Sequence, residues 1–149
     1  MMNLELLKYV FYGLSILVGM TTFSLADDLR NPKFFKISLY AGIVLFVFGF
    51  IFEITDLFST HRGLTIVIMS NTIIYLGCYT LLRKIFRKWK KTDPYITSAS
   101  STVGEQPIDG FWTKYPKGRK IMGTDFLFSF LQALVPIFLI IILLFLILT

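Results

Sequence analysis

Apolar residues gather into four long runs along this chain, and the segments between the runs hold most of the charge. The runs cover residues 9–26, 37–57, 63–82 and 126–148. A membrane-crossing helix needs about 20 mainly apolar residues, and the third and fourth runs meet this length without any charge. The second has only sixteen uncharged residues, 37–52, and needs flanking residues such as Phe34, Phe35 and Leu57 to reach this length. The pattern predicts an all-α integral membrane protein, a single domain over 1–149 with four transmembrane helices.

The first run also resembles a signal peptide. Lys8 precedes a short apolar stretch, and Ser24-Leu25-Ala26 stands before Asp27 like a cleavage site. We expect the run to remain as a membrane anchor, with cleavage after Ala26 as the alternative.

Lys and Arg are distributed very unequally between the two sides that four spans would define. The long connection 83–125 opens with RKIFRKWKK, and together with the first connection it carries thirteen of the fifteen Lys and Arg residues. Only Lys8 and Arg62 fall on the other side. Cytoplasmic loops carry an excess of Lys and Arg. We therefore expect a cytoplasmic loop over 83–125 and non-cytoplasmic termini.

Composition agrees with this class. The chain is 55% hydrophobic with a mean hydropathy of +0.71, more apolar surface than a soluble domain of this size can bury. A net charge of +6 would suggest nucleic acid in a soluble protein. Here the cations flank apolar runs, so topology explains them and no nucleic-acid partner is expected. The single cysteine, Cys78, leaves no intrachain disulfide.

Cations and aromatic residues are mixed in two parts of the long connection, residues 83–91 and 111–120. Such a mixture is typical of a helix or segment that lies at a membrane interface and attracts anionic lipid. We expect lipid or partner binding at the cytoplasmic interface from Arg83, Lys84, Arg87, Lys88, Trp89, Lys91, Trp112, Lys114, Lys117 and Arg119. The polar stretch between these two parts is expected to be irregular or mobile.

Each run carries one face of small or polar residues, which is less suited to contact with lipid tails than the rest of the helix. Small residues let membrane helices approach closely, and polar side chains can hydrogen-bond between helices. The predicted role is helix packing or, alternatively, the lining of a polar cavity, for Tyr12, Ser15, Gly19, Gly42, Gly49, Asn71, Tyr75, Gln132 and Pro136. After Pro136 the fourth run is apolar on every side, so its second half is expected to face lipid or another subunit.

Candidate chemistry is sparse. No carboxylate lies at the centre of a run, where a proton-translocating group would be expected. A single histidine excludes bis-histidine haem within the chain. Glu53, Asp56 and His61 cluster near the end of the second run but match no strong metal-binding spacing. We therefore predict no catalytic residue, no cofactor and no metal site.

Three functions remain open. The first is a non-catalytic structural or accessory subunit of a larger membrane complex, whose partners are anionic lipid and other membrane subunits or further copies of the chain. The second is an oligomeric pore or small transporter that uses the polar helix faces. The third is a small membrane enzyme that acts on lipid at the cytoplasmic interface.

Overall fold

The computed structural model describes residues 4–58, 60–97 and 100–149, which form five α-helices and one 3-10 helix and no β-strand. These are α1 (Leu4–Ser24), the 3-10 helix (Ala26–Arg30), α2 (Pro32–Ile54), α3 (Leu64–Met69), α4 (Asn71–Lys90) and α5 (Gly123–Leu148). The prediction of an all-helical protein is confirmed. Within the described ranges, three helices are long and apolar enough to cross a membrane: α1, α2 and α5.

The third apolar run does not form one continuous helix. Ser70 separates α3 from α4 and has φ −92° and ψ 0°. Its hydroxyl donates to the carbonyl oxygen of Val67 at 3.1 Å, the oxygen that an uninterrupted helix would offer to the N–H of Asn71. Neither piece alone is a long apolar helix, because α3 has six residues and α4 continues through the basic block to Lys90.

Local signals explain where several elements begin and end. The side chain of Asn31 accepts the N–H of Lys33 at 2.9 Å, and Pro32 occupies the first turn of α2. Both features favour a helix start. At the other end of α2, the Glu53 carboxylate accepts the N–H of Gly63, whose φ of 87° suits glycine. This contact closes the turn between α2 and α3.

The helices are arranged around α4, which contacts α1, α2 and α5. A buried cluster includes Leu76, Tyr79 and Phe86 of α4 with Phe128 of α5. By contrast, only 11%, 22% and 11% of the apolar windows of α1, α2 and α5 are buried. The least apolar long helix is therefore central, and the three most apolar helices surround it, as expected where lipid replaces water around a bundle.

The fourth run is one helix that passes through Pro136 without a break. Its buried residues are Asp125, Phe128, Gln132 and Pro136, at steps of three or four along one face. No residue of α5 beyond Pro136 is buried. The end of the helix still touches the third run, since Ile147 lies 3.3 Å from the position of a Cβ on Gly63.

The two ends of the bundle differ in the segments that they bring together. At one end lie the end of α2, Gly63 and the end of α5. At the other end lie the 3-10 helix, the end of α4, the start of α5 and the described parts of the connection, 91–97 and 100–122. We call this second end the loop end. Because α2 finishes away from it and α5 starts at it, α3 and α4 together run the length of the bundle.

Candidate functional site

A buried carboxylate at the loop end fixes the connection to the bundle. Asp28 of the 3-10 helix is 1% exposed. Its oxygens accept the backbone N–H groups of Phe111, Trp112 and Thr113 at 3.1, 2.6 and 2.9 Å. Gly110 permits this close approach, because a Cβ there would stand 2.5 Å from Asp28 Oδ1. Three donors on one charged acceptor make a strong anchor.

A second buried carboxylate, Asp125 in the first turn of α5, holds the two flanks of the connection. It accepts the N–H of Tyr95 at 2.9 Å and that of Met122 at 2.7 Å. Arg119 Nη2 lies 2.8 Å from both of its oxygens. The position also suits an acid, because the N-terminus of a helix favours negative charge.

An ion-pair network joins the 3-10 helix, α4 and the connection. Asp93 accepts from Arg30 Nη2 at 3.3 Å and from Arg83 Nη2 at 3.1 Å. Burial opposes ionisation of Asp93, but the hydrogen bond from Arg83 and the positive charges of both arginines outweigh it and hold the pKa of the carboxyl below its usual range. The Arg30 guanidinium also lies 4.6 Å from the ring centre of Tyr115.

Asp27 lies beside this network in an environment that disfavours its charge. The Tyr115 hydroxyl donates to Asp27 Oδ1 at 2.9 Å. Burial raises the pKa of Asp27 to about 6 in spite of that hydrogen bond, and the neighbouring charge of Asp28 contributes in the same direction. Burial likewise raises the pKa of Tyr115. This carboxyl changes charge close to neutral pH.

The residues predicted for the cytoplasmic interface fall into two groups. Arg83 and Arg119 are half-buried in the ion pairs just described. The other eight are exposed: Lys84, Arg87, Lys88, Trp89, Lys91, Trp112, Lys114 and Lys117. Trp112 also takes part in the anchor, since its carbonyl accepts from the side chain of Asn31 at 2.8 Å. The eight exposed residues are available for lipid or partner contacts, whereas Arg83 and Arg119 hold the loop end together.

Most of the predicted polar helix residues bond to another helix. Tyr12 pairs with Thr65 at 2.8 Å, and the Ser15 hydroxyl donates to the carbonyl of Ile68 at 3.0 Å. Asn71 donates to the carbonyl of Ser15 at 3.3 Å. These bonds hold α1 against the third run.

The first half of α4 makes a matching contact with α5. The Tyr75 hydroxyl donates to Gln132 Oε1 at 2.5 Å. Pro136 is buried one turn further along α5. A crevice of about 260 Å³ between α1, α4 and α5 includes Asn71 and Tyr75, but most of its lining is apolar.

The predicted glycines lie where helices approach closely. A Cβ on Gly19 would stand 2.8 Å from Asn71 Oδ1, and one on Gly42 would stand 3.1 Å from Ile73 Cγ1. A Cβ on Gly49 would stand 2.9 Å from Met69 Cβ. All three contacts are with the third run, so these glycines bring α1 and α2 onto the centre of the bundle.

The sequence reasoning considered the acids of the loop end only as carboxylates outside the centre of a span or as residues of a possible enzyme, and it missed their role in holding the connection. A signal was present, because Asp27, Asp28 and Asp125 stand at the ends of apolar runs next to a strongly basic connection. Such acids need partners when they are buried. Their particular partners, three backbone N–H groups for Asp28, follow only from the path of the loop.

The long apolar helices and their exposed surfaces define the class: an integral membrane protein that crosses the bilayer more than once. Comparison with protein-family models, with curated proteins and with solved structures finds no match.

Proposed function

We propose that the chain is a non-catalytic accessory subunit of a larger membrane protein complex. It spans the membrane four times, has its loop end in the cytoplasm and has both termini on the opposite side. Anionic lipid and other membrane subunits are its partners. The polar side chains of the helices bond within the bundle, either to another side chain, as in Tyr75 with Gln132, or to a backbone carbonyl, as in Ser15 with Ile68. This inward use of polar groups favours a structural role over a catalytic or conducting one.

The observation that carries the proposal is the crevice between α1 and α5. Met20 and Phe23 of α1 and Ile137 and Ile140 of α5 line it, with Ala133 among them. Met20 is 66% exposed and Ile137 is 51% exposed. A concave apolar surface with small residues between two spans suits the side chains of a further transmembrane helix.

Four crossings are supported by the path of the chain. The end of α2 and the start of α5 lie at opposite ends of the bundle, so the chain has to traverse the bundle between them. The interruption at Ser70 is compatible with a crossing, because α1, α2 and α5 surround that point and its N–H still donates to the carbonyl of Ile66 at 2.9 Å.

Charge supports the orientation. Thirteen of fifteen Lys and Arg residues belong to the first and third connections, which meet at the loop end. The positive-inside rule assigns that end to the cytoplasm. The exposed cations of the basic block then face the anionic leaflet, where each contributes about 1 kcal/mol of attraction.

The test is purification from the native membrane in a mild detergent, with the stoichiometry of co-purifying chains measured by native mass spectrometry. Met20→Trp fills the crevice. Leu17→Trp adds the same bulk to α1 at a residue that is 63% exposed and does not line the crevice. We expect a stoichiometric membrane partner that Met20→Trp releases and Leu17→Trp retains.

Other outcomes would contradict the proposal. A ring of identical chains around a water-filled axis would favour an oligomeric pore. A chain that purifies alone with a lipid product or substrate on its loop end would favour the membrane enzyme.

A further inference from the structure

Two depressions between α2 and α4 adjoin near the loop end, since Phe35 and Thr80 line both, and we call the two together the groove. The first, of about 320 Å³, is lined in part by Arg30, Lys36 and Arg83. The second, of about 330 Å³, is lined mainly by apolar side chains and by Gly77. A basic half therefore leads directly into an apolar half.

The basic half has more positive charge than its neighbouring acids can balance. Asp93 pairs with Arg30 and Arg83 there, and Asp27 lies beside Arg30. Lys36 is exposed, and Lys84 lines the adjoining apolar half. The Arg30 side chain is 15% exposed and also packs on the ring of Tyr115. Cations outnumber acids at this end of the groove, which therefore favours an anionic ligand with several acceptor oxygens.

The apolar half runs along the span, away from the loop end. Thr80 and Ile73 both line it, and seven residues of helix span about 10 Å. Gly77 leaves its surface open, because a Cβ there would meet nothing within 4 Å. A flexible hydrocarbon chain fits a shallow channel of this kind.

We propose that this groove binds one anionic phospholipid of the leaflet at the loop end. Its phosphate lies against Arg30, Lys36 and Arg83, and one acyl chain follows Phe35 and Gly77 between α2 and α4. Charge complementarity selects the phosphate, and the apolar half requires the chain. The site specifies the anionic-lipid partner of the proposed function and rests on that part of it, whereas membership of a complex is tested separately.

The experiment uses the purified full-length chain in detergent, titrated with phosphatidylglycerol or phosphatidylcholine and followed by native mass spectrometry. We expect one phosphatidylglycerol to bind in preference to phosphatidylcholine. Lys36→Gln should weaken that binding about fivefold, the effect of one cation near an anionic headgroup. Lys33→Gln removes the same charge from an exposed position in the first turn of α2 that does not line the groove, and it should change binding less than twofold.

Two further arms separate the headgroup from the chain. Gly77→Leu fills the apolar half and should also weaken phosphatidylglycerol binding, with an unchanged melting temperature. Millimolar inorganic phosphate should not displace the lipid. Equal losses from Lys36→Gln and Lys33→Gln would indicate diffuse charge attraction and overturn the site. Full displacement by phosphate with no effect of Gly77→Leu would replace the lipid site with a simple anion site.

Discussion

Asp28 is the residue on which attachment of the long connection depends most. Its carboxylate accepts three consecutive backbone N–H groups of the loop, and it is shielded from water. Buried N–H groups that lose their acceptor keep the full cost of desolvation. The anchored residues 111–113 directly follow the polar stretch that the sequence predicts to be irregular or mobile. The sequence did not indicate that the loop is held at this point.

Replacing Asp28 tests this role. Asp28→Ala leaves three N–H groups without their acceptor and should lower the free energy of unfolding by on the order of 3 kcal/mol. Asp28→Asn keeps one carbonyl oxygen, which can still accept from Trp112 and Thr113, and should lose less. Thermal unfolding in detergent and protease cleavage within the loop measure both effects. An unaltered cleavage rate in Asp28→Ala would show that the loop is held by other contacts.

Asp27 gives the protein a pH dependence of a definite sign. Its pKa is about 6 in the folded chain against an ordinary value of 3.8, so the folded state keeps a proton that the unfolded state has lost between these values. Stability should therefore fall as the pH rises from about 4 to about 6, and then level off. Asp93, whose pKa is lowered, acts in the opposite sense and only below about pH 4.

The measurement is the melting temperature in detergent across pH 4 to 7 for the wild type and for Asp27→Asn. The difference between the two curves isolates this carboxyl from the other acids. We expect the wild type to lose stability relative to Asp27→Asn as the pH rises through this window. Parallel curves would mean that Asp27 titrates at its ordinary pKa in the folded protein.

Packing between elements depends on the glycines of α2. Gly49→Leu forces a side chain into the backbone and Met69 Cβ, which cannot move aside without shifting α3. Overpacking of this kind typically costs about 1 to 3 kcal/mol. Gly13→Leu is the matched control, because a Cβ on Gly13 of α1 meets nothing within 4 Å. We expect the first variant to melt earlier and the second to melt like the wild type; equal melting would show that α2 does not pack closely on α3.

The elements differ in how far the sequence determines them. α1, α2 and α5 follow directly from apolar length, because that property is local. The break at Ser70 accompanies a hydrogen bond from its hydroxyl to the carbonyl of Val67. A serine within an apolar run does not by itself predict such a break. The packing partners of Gly42 and Gly49 depend on how the helices meet, which the small-residue pattern suggests but cannot assign.

At the scale of the whole molecule, the number of cations on each side can be counted from the sequence, whereas the pairing of opposite charges cannot. The excess of cations predicts an orientation by counting alone. To predict which charges pair, one must know which segments share an end of the bundle. Arg30 and Asp93, for example, form an ion pair although they are 63 residues apart in sequence. The acids that organise the loop end, and the groove beside them, therefore emerge only with the fold.

The predicted topology, with four crossings and the loop end in the cytoplasm, can be tested with two single-cysteine variants. In a Cys78→Ser background, Val103→Cys places a thiol in the connection at a residue that is 66% exposed, and His61→Cys places one at an exposed residue beyond α2. Four crossings put these positions on opposite sides of the membrane. In intact cells, an impermeant maleimide should label His61→Cys, and it should reach Val103→Cys only after the membrane is opened.

Protection of His61→Cys with ready labelling of Val103→Cys would invert the orientation. Labelling of both on one side would mean that the third run, divided at Ser70, does not cross, which would leave the three spans of α1, α2 and α5.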